Sequence, residues 1–137
     1  MSYLIDTNVL SELRKRQPDA RVVAWMEARP PSTLYLSVLT LGEIRRGVEA
    51  MADSRRRLEL LDWLETQLPA WFAGRVLGID GETADRWGRL LAKAGRPLPG
   101  IDSLLAATAQ RHGLQLVTRN VDDFRDVEVS LINPWVV

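Results

Sequence analysis

Along this chain short apolar runs alternate with longer stretches of helical period, and that alternation limits the fold more than any other feature. The runs are Leu4-Ile5, Leu34-Tyr35-Leu36-Ser37, and residues 75–80, 114–118 and 127–132. They are too short for helices and are bounded by turn residues, so they read as strands. Strands joined by helical segments build βαβ units, whose sheet is mainly parallel. The expected class is therefore α/β, with a mainly parallel five-stranded sheet flanked by helices. The 137 residues suit a single domain, 1–137, with a sizeable core.

The helical segments carry local signals of their own. Residues 9–13 continue as helix from Asp6-Thr7-Asn8, and Arg14-Lys15-Arg16-Gln17-Pro18 closes it with positive charge and a proline. Asp19 caps a second helix, which carries Val22, Val23, Trp25 and Met26 and stops before Pro30-Pro31. In residues 39–51, Leu41, Ile44, Val48 and Met51 recur at three and four and make one apolar face, with Ser37 or Thr40 as cap. Arg45, Arg46 and Glu49 face outward there. From residue 53 a further helix carries Leu58, Leu61, Leu64 and Leu68, with Trp63 and Trp71 nearby, as core or as a partner surface. Residues 82–94 turn Ala84, Trp87, Leu90 and Leu91 inward before Gly95-Arg96-Pro97-Leu98-Pro99-Gly100 breaks the helix. A last helix, with Ile101, Leu104, Leu105, Thr108 and Ala109 on its apolar face, runs to His112 and stops at Gly113.

Composition removes whole classes of chemistry. Without cysteine there is no disulfide, thiolate nucleophile or Cys-based zinc site, and a single histidine rules out a multi-His metal site. Any metal would be held by oxygen, which means Mg²⁺, Mn²⁺ or Ca²⁺. No apolar run approaches the ~18–20 residues that span a bilayer, and no export signal is present, so the expected location is the cytoplasm, away from the membrane. Net charge is zero, and 16 of the 18 basic residues are arginine. Arginine suits bidentate phosphate recognition, but genomic base composition favouring Arg codons is the better explanation of such a bias.

The informative residues are acids that follow strands or open helices. Asp6 ends the first strand, Glu43 lies early in the helix after the second, and Asp102 opens the helix before the fourth. Asp122 and Asp123 follow the fourth strand, just after Asn120. Each has an ordinary structural explanation as a cap, a helix-dipole partner or a loop acid. In a parallel sheet, however, strand C-termini and helix N-termini lie on one side, so these acids can converge. Several carboxylates in one pocket repel and take up protons unless a cation is present. Two hard divalent ions ~3.5–4 Å apart clamp the attacking and leaving oxygens of an in-line phosphoryl displacement.

The ordered set Asp6-Thr7-Asn8, Leu41-Gly42-Glu43-Ile44, Ile101-Asp102, Leu116 to Phe124 and Asn133-Pro134-Trp135 resembles the PIN-domain ribonucleases, and among them the VapC and FitB-like toxins of bacterial toxin–antitoxin pairs. The resemblance covers nearly the whole chain. It implies a three-layer PIN-like fold and a Mg²⁺-dependent endoribonuclease, with Mn²⁺ as a possible substitute. Asp6 and Asp102 would be the principal metal ligands, with Glu43 and Asp123 supporting. Asn120 stands where some relatives carry an Asp, and Asp122 is then a surface residue. Thr7, Asn8, Thr118 and Asn120 would give polar support. Arg45, Arg46 and Arg119 are the RNA-binding candidates, with a solvated helix face as the alternative for the first two. The same resemblance implies a homodimer, a cognate antitoxin and transfer or ribosomal RNA as usual targets. The rival is a PIN-like module that binds RNA or protein without cutting. A phosphatase-like hydrolase with Asp6 as nucleophile would need a second Asp at position 8, which is Asn8.

Overall fold

The computed structural model describes residues 1–136. Five strands, β1 (Tyr3–Ile5), β2 (Leu34–Ser37), β3 (Val76–Leu77), β4 (Gln115–Val117) and β5 (Leu131–Ile132), form one sheet in the order β3-β2-β1-β4-β5. Every pairing is parallel; Leu4 lies opposite Tyr35 on one side and Leu116 on the other. The third and fifth strands are only two residues long, shorter than the runs at 75–80 and 127–132. Both are at sheet edges, where only one neighbour supplies a ladder.

Among the described residues seven α-helices cover the sheet: α1 (Thr7–Leu13), α2 (Ala20–Glu27), α3 (Val38–Glu49), α4 (Arg55–Asp62), α5 (Leu68–Trp71), α6 (Gly81–Ala94) and α7 (Gly100–His112). Successive residues of a strand point to opposite faces, and the core divides accordingly. Ile5 and Val117 join Val9, Val22, Leu36 and Phe72 under α1 to α5. Leu4 and Leu116 join Leu105, Ala106, Ala109 and Phe124 under α7. The result is three layers with β1 at the centre.

The caps obey local chemistry. Asp19, Ser37, Ser54 and Asp80 each accept a hydrogen bond from a backbone N–H in the first turn of the adjoining helix. Ser37 therefore caps α3, while Thr40 is fully buried. Gly113 ends α7 with φ +66°, a conformation that favours glycine.

Three apolar faces differ from the sequence pattern. Residues Trp63–Gln67 form a π-helical turn between α4 and α5, just before Pro69. Trp63, Leu64 and Leu68, in and just after this turn, are buried, while Trp71 beyond it is 45% exposed, because the wider turn rotates the residues that follow it about the helix axis; Leu58, upstream in α4, is 67% exposed. In α6, Ala84 is exposed and Trp87 turns toward α7, where its Nε1 donates to Ser103 Oγ at 2.8 Å. Ile101, in the first turn of α7, is exposed and Leu104 is half-buried, whereas Leu105, Thr108 and Ala109 are fully buried as expected and Ala106 joins them.

Candidate active site

The central strand decides where the first acid goes. Its last residue is Ile5, so Asp6 stands at the C-terminal edge of the sheet, with its own N–H donating to Val117 O at 2.9 Å. Asp6 is also the N-cap of α1, and its Oδ1 accepts from Thr7 N at 2.7 Å. Cap and cleft residue are thus one and the same. Its Oδ2 accepts from the Thr118 hydroxyl at 2.8 Å and from Asn8 Nδ2 at 3.3 Å. Asn8 Nδ2 also reaches Thr118 Oγ1, which in turn accepts from Asn120 N at 3.1 Å. Residues 110 apart in sequence therefore meet because β1 and β4 are neighbours.

Glu43 is supplied by the second turn of α3 and accepts a 2.6 Å hydrogen bond from Thr7 Oγ1. Asp102 lies in the first turn of α7, where the helix dipole favours a carboxylate. Asp6, Thr7, Asn8, Glu43, Asp102 and Asn120 all line one cleft of about 420 Å³. Asp123, on the short 3₁₀ turn Val121–Phe124, reaches Asp102 with its side chain from outside that lining. Asp122 points elsewhere, is exposed and pairs with Arg125 at 2.9 Å.

The electrostatics show that these acids share one field. The Asp102 carboxyl is pushed up to about 6, first by burial, then by the charges of Asp6, Asp123 and Glu43. Asp6 is also raised, mainly by burial and further by Glu43, while its Thr118, Thr7 and Asn8 donors oppose the shift. Among the described residues, no three carboxylates close on a single point as a preformed cage would. They surround a cleft instead.

The other charged candidates, Arg119 excepted, fall outside this cleft. Arg45 is held by Glu65 at 2.9 Å and Glu49 at 3.4 Å, and Arg46 sits in the last turn of α3. Only Arg119 of the three arginines lines the cleft, with its guanidinium 5.0 Å from the centroid of the Trp135 ring. Asp80 caps α6, and His112 lines a separate hollow with Met1, Tyr35 and Leu114. A larger hollow, of about 630 Å³ beside α6, is lined by Arg89–Asp85, Lys93–Glu128 and Arg111–Glu82 pairs and contains none of the clustered acids. Sequence reading passed over Glu12, Lys15, Ser11 and Trp135, which also line the cleft. The signal was the spacing of Glu12, one helical turn after Asn8.

The chain is similar to known proteins over nearly its whole length. The PIN domain family matches residues 3–129. The VapC ribonuclease Y4jK of Sinorhizobium fredii is 39% identical over 135 residues, covering 96% of each chain. The toxin FitB of Neisseria gonorrhoeae is 36% identical over 135 residues, covering 96% of this chain and 97% of FitB. The crystal structure of FitAcB from Neisseria gonorrhoeae superposes with a TM-score of 0.91 at 34% identity, over 98% of this chain and 99% of that one.

Proposed function

The chain belongs to the PIN-domain family, among the VapC and FitB toxins, and on that premise we propose that it is the ribonuclease toxin of a toxin–antitoxin pair and that it hydrolyses RNA with Mg²⁺. The observation that carries this reading is the shared field of Asp6, Glu43, Asp102 and Asp123 around one cleft. Four acids so arranged either hold protons or hold a cation. Every strong donor in the set is a carboxylate oxygen, with no sulfur and no imidazole, which fits a hard divalent ion. Mg²⁺ uses one or two carboxylates with waters and phosphate oxygens, so an open ring of acids suits it better than a closed cage would.

In this proposal Asp6 and Asp102 hold the ion and Glu43 and Asp123 support it. The ion, when bound, stabilises negative charge developing on the phosphodiester and acidifies water. The protein's own contribution is orientation. Thr118 and Asn8 fix one oxygen of Asp6 and the Thr7 N–H fixes the other, so its carboxylate cannot rotate away. Thr7 Oγ1 fixes Glu43 in the same way, and the Asn120 N–H fixes the Thr118 hydroxyl.

A cognate antitoxin and a homodimer complete the proposal. Solved structures similar to this chain include the FitAB complex bound to a DNA fragment, at 34% identity and a TM-score of 0.91. The chain carries an apolar groove of about 470 Å³ between α1, α2 and α5, lined by Leu13, Met26, Trp63, Trp71 and Phe72. Such a groove suits apolar side chains of a protein partner.

The test is RNA cleavage by the purified chain with Mg²⁺, with EDTA, and after Asp6→Asn. Cleavage that needs Mg²⁺ and disappears in the variant supports the reading. Undiminished cleavage in EDTA removes the metal, and RNA that stays intact throughout favours a binding module.

A further inference from the structure

The cleft has a second wall, built on cations. Asn8, Glu12 and Lys15 succeed one another at four and three residues along α1 and the turn after it, so they share one stripe facing the cleft. Glu12 is only 6% exposed. Its Oε1 accepts from Lys15 Nζ and its Oε2 from Asp19 N, both at 2.9 Å. The Lys15 hydrogen bond, first, and the Asp19 N–H hold this carboxyl below its ordinary range, and the charge of Arg119 acts in the same direction. Glu12 is thus ionised at neutral pH and lies within the field of two cations.

Arg119 is fixed by other means. Among the described residues no carboxylate forms an ion pair with it. Its guanidinium lies over the Trp135 ring, and its backbone N–H donates to Asn8 Oδ1 at 3.2 Å. Trp135 is 5% exposed, and its own N–H donates to Asn133 Oδ1 at 2.9 Å. A guanidinium seated on an indole keeps its in-plane N–H donors free, and those donors match phosphate oxygens. Asn8 joins the two walls, because it donates to Asp6 and accepts from Arg119. A polyanion entering a cleft ringed by carboxylates needs such anchors to offset the repulsion.

We infer that Arg119 and Lys15 grip phosphates of the RNA on either side of the bond to be cut, with Trp135 and Glu12 as the positioning residues that hold these two cations in the cleft. This rests on the ribonuclease reading and adds to it the residues that bind the substrate. It also explains why a buried glutamate lies in a cleft that must accept an anion.

The experiment measures affinity for a single-stranded oligoribonucleotide against salt, in the Asp6→Asn background so that binding is separated from cutting. Each phosphate contact on a single strand contributes about 0.7 to the slope of log affinity against log salt. Arg119→Ala and Lys15→Ala should each remove about that much, equal to a two- to threefold smaller loss between about 50 and 200 mM salt. Arg119→Lys should keep the slope. Trp135→Leu should match Arg119→Ala, and the double variant should be no weaker than Arg119→Ala alone; Trp135→Phe, which keeps a ring and guards against misfolding, should fall between. Glu12→Gln is the sharpest variant. It makes the cleft more positive, so charge alone would tighten binding, whereas loss of positioning weakens it and, in the otherwise wild-type chain, raises KM with kcat unchanged. Unchanged slopes, independent losses at Trp135 and Arg119, or tighter binding by Glu12→Gln each overturn the inference. Cleavage by the wild type is measured alongside. If RNA is cut but the slopes do not move, only this inference fails; if RNA is neither cut nor bound, the ribonuclease reading fails with it.

Discussion

Asp102→Asn should make the metal-free protein more stable at neutral pH while abolishing RNA cleavage. The Asp102 carboxyl lies at about 6 against an ordinary 3.8, because burial and the charges of Asp6, Asp123 and Glu43 disfavour its ionised form. A shift of about two units is worth roughly 3 kcal/mol unscreened. Asp102 is only half-buried at the edge of an open cleft, so solvent screening leaves about 1.5 kcal/mol. Asparagine also loses the favourable interaction of a carboxylate with the first turn of α7, about 0.5 kcal/mol. The net expectation is about 1 kcal/mol of stabilisation, or about 3 °C in Tm for a chain of this size. The sign with pH comes from the raised value. Below about 3.8 the aspartic acid is protonated in both folded and unfolded chains and costs nothing. As pH rises through about 6 the folded chain must ionise it, and that stability is lost. Urea unfolding in EDTA, at pH about 4 and about 7, should therefore show the wild type falling relative to the variant. Excess Mg²⁺ should reverse the order at neutral pH, because only the wild type retains the full ligand set. A variant less stable than the wild type in EDTA at neutral pH would refute the claim that these acids strain one another.

Other substitutions test the supporting groups. Thr118→Val removes the 2.8 Å donor to Asp6 and should lower activity or metal affinity about 10- to 100-fold, read by cleavage assay and metal titration. The same change should cost about 1–3 kcal/mol in urea unfolding, since it leaves a buried carboxylate short of a partner. Asp123→Asn should reduce cleavage more than Asp122→Asn, because Asp123 reaches Asp102 whereas Asp122 pairs with Arg125 at the surface; the reverse order would show that the loop is wrongly assigned. Expressed without its antitoxin, the wild type should arrest growth and Asp6→Asn should not, as monitored by culture density.

Local chemistry made much of the fold legible. Asp19, Ser37, Ser54 and Gly113 mark helix ends through short-range bonds or backbone conformation, and the parallel sheet results from the alternation of strand and helix. The grouping of Asp6, Glu43 and Asp102 also comes from topology, since parallel strands bring their C-terminal ends to one edge. The features that could not be read depend on packing between elements. The π turn at Trp63–Gln67 changes the phase of the helix before Trp71, which is left partly exposed, and no local propensity announces it. Arg45 lies just after a motif glutamate in sequence, yet the helix turns it about 100° per residue, toward Glu65 and away from the cleft. Glu12 shows its spacing from Asn8 in the sequence, but not its burial. It looks like an ordinary surface residue of an amphipathic helix until β4 brings Arg119 beside it.

The most direct test of the account is a calorimetric titration of Mn²⁺ into the RNA-free chain, near pH 6 and near pH 7. Acids that share one cation site predict saturable binding, released protons near pH 6 as Asp102 gives up its own, and loss of binding in both Asp6→Asn and Asp102→Asn. No binding by the wild type, or equal binding by all three proteins, would contradict it.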